Sequence, residues 1–178
     1  MNLENIELVA QSAIRIINES RKIIYFDPFK LENKFSKDAD YIFITHPHYD
    51  HFSPEDILDI KNNNTIIIVP FELLEKCLEL GFNKNKIFTV EVNNDYQLDD
   101  LSFNTVPAYN LNKDFHKKEF DWVGYVINID NTIIYIAGDT DNIPEIQNIN
   151  CDIAFVPVGG TYTMTYMEAA DLVKVMVL

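Results

Sequence analysis

The sequence predicts an α/β domain in which β-sheets are covered by helices, and three observations predict it. Short apolar runs bounded by Asn, Asp, Gly or Pro recur along the chain and read as strands. Stretches with helix-capping signals fall between them. Strands come first and strands mixed with helices follow, an order that suits layers of sheet and helix around a core. A chain of 178 residues can bury one sizeable core, so residues 1–178 are expected to form a single domain.

Residues 13–18 and 22–27 flank "NESR" and form a hairpin. Residues 41–45, 65–69 and 86–90 are further strands, and 101–106, 122–129, 132–137 and 152–156 complete the set. "IDNT", running from Ile129 to Thr132, is a tight turn that pairs two of them. The first helix is "SPEDILDI": Ser53 caps it, Pro54 occupies the first turn, and acidic side chains sit near its positive end. A second helix spans 71–80 and stops at Gly81. Cys77 lies at helical spacing with Leu73, Leu74 and Leu78 and so belongs to the core. Neither Cys77 nor Cys151 has a CxxC partner, which suits a reducing compartment. The last helix, "TYMEAADLVKVM", follows a threonine-rich loop, and residues 165–178 stay apolar to the end. The asparagine-rich stretches 62–64 and 93–94 are turns.

The formal charge of −14 comes from 28 acidic against 14 basic residues. A surface that acidic repels phosphate backbones, so no nucleic-acid partner is expected. The longest apolar run, 66–71, includes a proline and is far too short to span a bilayer. The opening "MNLENIELVA" has no basic segment ahead of an apolar one, so no signal peptide is visible. These features predict a cytoplasmic protein with a small-molecule substrate and no membrane partner.

The stretch "ITHPHYDH", from Ile44 to His51, holds three of the chain's four histidines, and imidazole with carboxylate is a usual ligand set for a divalent metal. His46 and His48 follow directly on a strand. Residues two apart in extended backbone point the same way, so both imidazoles can reach one ion. Pro47 biases His46 towards that extended geometry. Asp50 and His51 lie just beyond, where the chain turns into the Ser53-capped helix, and can reach a second ion beside the first. The plain alternative is a polar loop that binds nothing.

"HPHYDH" resembles the HxHxDH signature of the metallo-β-lactamase-fold hydrolases. The similarity runs along most of the chain, through "IIYFDPF", "IIYIAGDTD" and "CDIAFVPVGGTYTM" with its following "EAA". Those blocks are similar to the small bacterial and archaeal Zn-dependent hydrolases, a subgroup that includes the ascorbate-phosphate lactonase-like proteins. The resemblance implies a four-layer αββα sandwich of metallo-β-lactamase type, with metal bound at one edge of the two sheets. It implies His46 and His48 on metal one, Asp50 and His51 on metal two, and Asp139 bridging both. Asp139 has a plainer alternative as a cap of the loop before Ile143. Asp27, followed by Pro28, is expected to support the ligands or shape a turn.

Many relatives place a third histidine for metal one after a strand like "LSFNTVPA", where this chain has "PAYN" ending in Asn110. His116 is the remaining histidine for that role, and a solvent-exposed loop histidine is the other reading. Relatives also run on past a helix like "EAADLVKV" to a further strand and a final histidine, so the fold is expected to be C-terminally shortened. The expected activity is a hydrolase that uses a metal-bound hydroxide on a small ester, lactone, amide or phosphodiester. Asp50 is its candidate catalytic residue, orienting the water or handing on a proton. One or two ions are expected, zinc first, with manganese, iron or nickel also accepting His and Asp. Tyr109, Asn110, Tyr162 and Thr163 fall in loops expected near the mouth. The other functional reading is a metal-binding but catalytically weak homologue. In that reading metal two is held loosely, and an apolar C-terminal edge favours a homo-oligomer.

Overall fold

The computed structural model describes residues 3–32 and 34–176. The chain divides into two compact units, Met1–Val90 and Glu91–Leu178.

In the first unit, isoleucine-rich segments build one six-stranded sheet in the order β1 (Ile6–Ala10), β2 (Ala13–Ile17), β3 (Ile23–Phe26), β4 (Tyr41–Phe43), β5 (Ile66–Pro70) and β6 (Ile87–Val90). Strands β1 to β3 pair antiparallel, whereas β3 to β6 run parallel. The predicted hairpin is β2–β3, in register from Ile14 opposite Phe26 to Ile17 opposite Ile23. Asn18 closes its loop: its side-chain oxygen accepts from the Lys22 amide at 2.7 Å. Strand β1 carries no sequence signal of comparable strength, because it is an edge strand with Leu8 exposed and a bulge between Leu8 and Ala10.

Helix α1 (Pro54–Ile60) starts as predicted, with the Ser53 hydroxyl accepting from the Asp56 amide. Its Ile57 and Ile60 pack with Tyr25, Ile42, Ile67, Val69, Leu73 and Cys77 in one buried cluster. Burial there pushes the Cys77 thiol up to about 12. The helix expected over 71–80 divides into a 3-10 turn, Phe71–Leu73, and α2, Leu74–Glu79. It begins directly on Pro70 without a capping side chain, so the first turn tightens, with the Leu74 amide on the Phe71 carbonyl. Gly81, at φ 76°, ends α2 as expected.

In the second unit, β7 (Asp95–Leu98), β8 (Leu101–Pro107), β9 (Val123–Ile129), β10 (Thr132–Ile136) and β11 (Ile153–Phe155) form a five-stranded sheet in the order β11-β10-β9-β8-β7. Only the β10–β11 pair is parallel. The predicted "IDNT" turn joins β9 to β10: Asp130 and Asn131 take φ 52° and 60°, and Ile129 pairs with Thr132. Two positive φ values are what a two-residue hairpin turn requires. Strand β7, "DYQL", is a polar edge strand and lacks the apolar run that marks the others. Helix α3 (Tyr166–Val175) opens with a capping box between Thr165 and Glu168. Its Ala169 and Leu172 pack with Val106, Tyr135, Ala137 and Ile143. Val177 and Leu178, expected to extend this helix, lie outside the described residues.

Gly124 in β9 is a close-approach glycine. A Cβ there would sit 2.9 Å from the carbonyl oxygens of both Ile136 and Ala137. Those are backbone atoms and cannot swing aside. Gly124→Ala is therefore expected to cost roughly 1–3 kcal/mol, read as a lower urea midpoint. An unchanged midpoint would show that β10 yields freely. Among the described residues, no helix is long and apolar enough to cross a membrane.

Candidate metal centre

In the first unit the site is built at the carboxyl ends of two neighbouring parallel strands. Phe26 of β3 pairs with Phe43 of β4, so Asp27 and the residues after Phe43 leave the sheet at the same edge. The Asp27 amide donates to the Phe43 carbonyl at 2.9 Å, and Ile44 donates to Ile68 at 2.9 Å. The amide of Thr45 then leaves the ladder and donates to Asp27 Oδ1 at 2.8 Å. That is why β4 ends two residues short of the predicted strand. Asp27 holds φ 44°, a left-handed conformation that aspartate tolerates better than most residues.

Asp27 is buried, and its carboxylate organises the histidines. Oδ2 accepts from the Thr45 hydroxyl at 2.7 Å and from His51 Nδ1 at 2.7 Å. Having given its own proton to Asp27, Thr45 Oγ1 is an acceptor for His46 Nδ1 at 3.0 Å. This network assigns the proton of both His46 and His51 to Nδ1, so Nε2 carries the lone pair in each. A carboxylate behind an imidazole is the usual way a protein presents a metal-ligand histidine.

His46 Nε2 stands 3.1 Å from His48 Nδ1. Two nitrogens each about 2.0–2.1 Å from one tetrahedral ion are separated by about 3.3 Å, so the pair is spaced for a shared ion. Past them the chain tightens, with the amides of His51 and Phe52 both on the His48 carbonyl. This turn sets Asp50 Oδ2 4.0 Å from His51 Nε2. Gln11, in the β1–β2 turn, donates to the same Asp50 oxygen at 2.7 Å. Thr45 and Gln11 had no signal in the sequence, since both act through contacts distant along the chain.

In the second unit His116 is buried at 1 % exposure, which removes the reading of a solvent-exposed loop histidine. Its ring packs edge-on against Trp122, and Nδ1 donates to Asn110 Oδ1 at 3.0 Å. The other nitrogen, Nε2, lies 3.3 Å from Asp139 Oδ2. An imidazole lone pair and a carboxylate oxygen at that distance repel unless a cation lies between them, and 3.3 Å is again a ligand-to-ligand span. Asp139 follows Gly138, at φ 63°, beyond the end of β10. Asp141 braces this loop: its carboxylate accepts from the Leu111 amide at 2.9 Å and from Lys113 Nζ at 2.5 Å. No local pattern in the sequence marks Asp141, whose partners lie 28 and 30 residues earlier.

Of the four expected mouth residues, Tyr162 alone is exposed, with its ring against Phe115. Tyr109 is buried and its hydroxyl donates to Glu145 at 3.0 Å. Lys118, 2.7 Å from Glu145, holds that carboxyl below the usual carboxylate range. Thr163 is buried and accepts from the Gly159 amide at 3.2 Å. Asn110 is buried beside His116.

A family model described as the beta-lactamase superfamily domain matches residues 5–177. A metal-dependent hydrolase of Methanosphaera stadtmanae is 31% identical over 185 residues, covering 95% of this chain and 78% of the relative. A metal-dependent hydrolase of Thermococcus onnurineus is 29% identical over 184 residues, covering 96% of this chain and 79% of its own length. A solved structure from Parabacteroides distasonis, described as a candidate metal-dependent hydrolase, matches with a TM-score of 0.84 at 29% identity, covering 96% of this chain and 77% of that one. The two sheets and their flanking helices thus have the metallo-β-lactamase fold, and the chain belongs to the beta-lactamase superfamily.

Proposed function

We propose that this protein is a metal-dependent hydrolase that cleaves a small ester, lactone, amide or phosphodiester. In this reading His46, His48, Asp50, His51, His116 and Asp139 are the metal-ligating residues, for one or two divalent ions, zinc first. The carrying observation is the Asp27 carboxylate, which directly for His51 and through Thr45 for His46 leaves the lone pair of two buried imidazoles on Nε2. A bound divalent ion supplies water with a pKa near about 7 rather than about 15.7, and positive charge opposite a developing oxyanion. The chain's own residues do the rest. Asp27 fixes ring orientation and tautomer, while Asp50, partly exposed and steadied by Gln11, orients the attacking water and takes its proton. The charge of −14 argues for a small-molecule substrate over nucleic acid, and two free buried cysteines suit a cytoplasmic setting.

The test uses the full chain loaded with zinc or manganese. Metal content per chain is measured, and activity is read on a panel of aryl phosphodiesters, lactones, esters and amides. His116→Ala is expected to weaken zinc binding at least about tenfold in competition with a chelator. Wild-type affinity in that variant would remove His116 from the ligand set. Stoichiometric metal without hydrolysis of any class in the panel would overturn the enzymatic reading.

A further inference from the structure

Asn110 stands at the head of the loop 110–116 and is tied to its last residue three times. Its amide donates to the His116 carbonyl at 2.6 Å. Its side-chain oxygen accepts from the His116 amide at 3.1 Å and from His116 Nδ1 at 3.0 Å. On its other side, Nδ2 donates to the Tyr162 carbonyl at 2.9 Å. Two donors face Oδ1 and one acceptor faces Nδ2, so a flipped amide would set donor against donor and oxygen against oxygen. Burial keeps water from substituting for any of these partners.

We infer that Asn110 is a positioning residue of the metal centre. It holds His116 as the Nδ1–H tautomer with Nε2 turned to Asp139, and it ties that ring to the loop carrying Tyr162. The inference rests on the reading of His116 as a ligand. One oxygen grips backbone and ring of the same residue together, so the imidazole cannot rotate without giving up a bond. Coordination through Nε2 needs the lone pair there. An imidazole that exchanges tautomers offers it for only part of the time, and the apparent affinity falls by that fraction. A neutral amide does for His116 what the Asp27 carboxylate does for His51. The tie to Tyr162 also sets the base of the Phe115–Tyr162 pair, whose ring centroids lie 4.7 Å apart.

The experiment compares the wild-type full chain with Asn110→Ala, Asn110→Asp and His116→Ala. Nitrogen-15 spectra of metal-free, histidine-labelled protein report each tautomer, and chelator competition reports zinc affinity. Asn110→Asp keeps the acceptor and is expected to keep His116 protonated on Nδ1, with affinity within about threefold of wild type. Asn110→Ala is expected to mix the tautomers and also to free the ring to rotate, and the two losses together weaken zinc binding by about 10–100-fold. A purely architectural Asn110 would lower the unfolding midpoint in both variants without moving the tautomer, and that result overturns the inference. Wild-type affinity in Asn110→Ala beside a large loss in His116→Ala also overturns it, and leaves His116 a ligand. Wild-type affinity in His116→Ala instead brings down the ligand reading itself. If the alanine variant does not fold, the aspartate variant decides: His116 protonated on Nε2 there refutes the inference.

Discussion

Asp27→Ala is expected to lower zinc affinity by about 10–100-fold and stability by about 3–5 kcal/mol. The buried carboxylate accepts from the Thr45 amide, the Thr45 hydroxyl and His51 Nδ1. Alanine leaves all three donors in a site that water does not reach, and the cost of that exceeds the loss of any one bond. Asp27→Asn separates the two effects. Its oxygen still serves the Thr45 amide, but its NH2 group faces a hydroxyl and an N–H. The fold should survive better while His51 is pushed to the Nε2–H tautomer and its lone pair turns away from the metal. Urea unfolding and chelator competition read the two quantities separately. Asparagine at wild-type affinity would show that the tautomer of His51 is indifferent to metal binding.

His46→Ala is expected to cut kcat/KM by about a thousandfold or more, since metal-assisted charge stabilisation is worth several kcal/mol and each 1.36 kcal/mol is tenfold in rate. His46 has no redundancy within its unit. Its Nε2 is the atom spaced for sharing an ion with His48, and its Nδ1 is the end of the relay from Asp27 through Thr45. Removing metal from the wild type with a chelator should reproduce the loss, and added zinc should restore the wild type but not the variant. Full turnover in the chelated protein would rule out metal dependence.

Local chemistry was what the sequence carried best. The β2–β3 hairpin, the Ser53 cap, the "IDNT" turn and the capping-box helix each depend on residues within a few positions of one another, and each is present. The clustered histidines were legible for the same reason. Of the four edge strands, β6 and β11 were legible and β1 and β7 were not, because "IELVA" and "DYQL" bury no residue fully and carry charged or polar side chains among their apolar ones. Nor was the burial of His116 evident, since it sits among charged residues in "KDFHKK". What buries it is Trp122 and a hydrogen-bonded asparagine six residues earlier, and neither leaves a periodic signal. Asp141 and Thr45 were missed likewise: their partners are 18 to 30 residues away along the chain.

The Thr45 amide has a use that the ligands themselves do not. Backbone amides in sheets usually exchange with solvent at the rate their strand opens, and so report the ladder. This one is held by the carboxylate of Asp27 at 2.8 Å, outside the ladder that ends with Ile44. Its deuterium uptake therefore follows the opening of the Asp27 cradle alone, whereas the Ile44 amide, bonded to Ile68, follows the parallel strands beside it. Two adjacent residues thus carry two separate clocks, one for the scaffold and one for the site. The difference between them measures how rigidly the protein holds its histidines, in the unmodified chain and without any substrate.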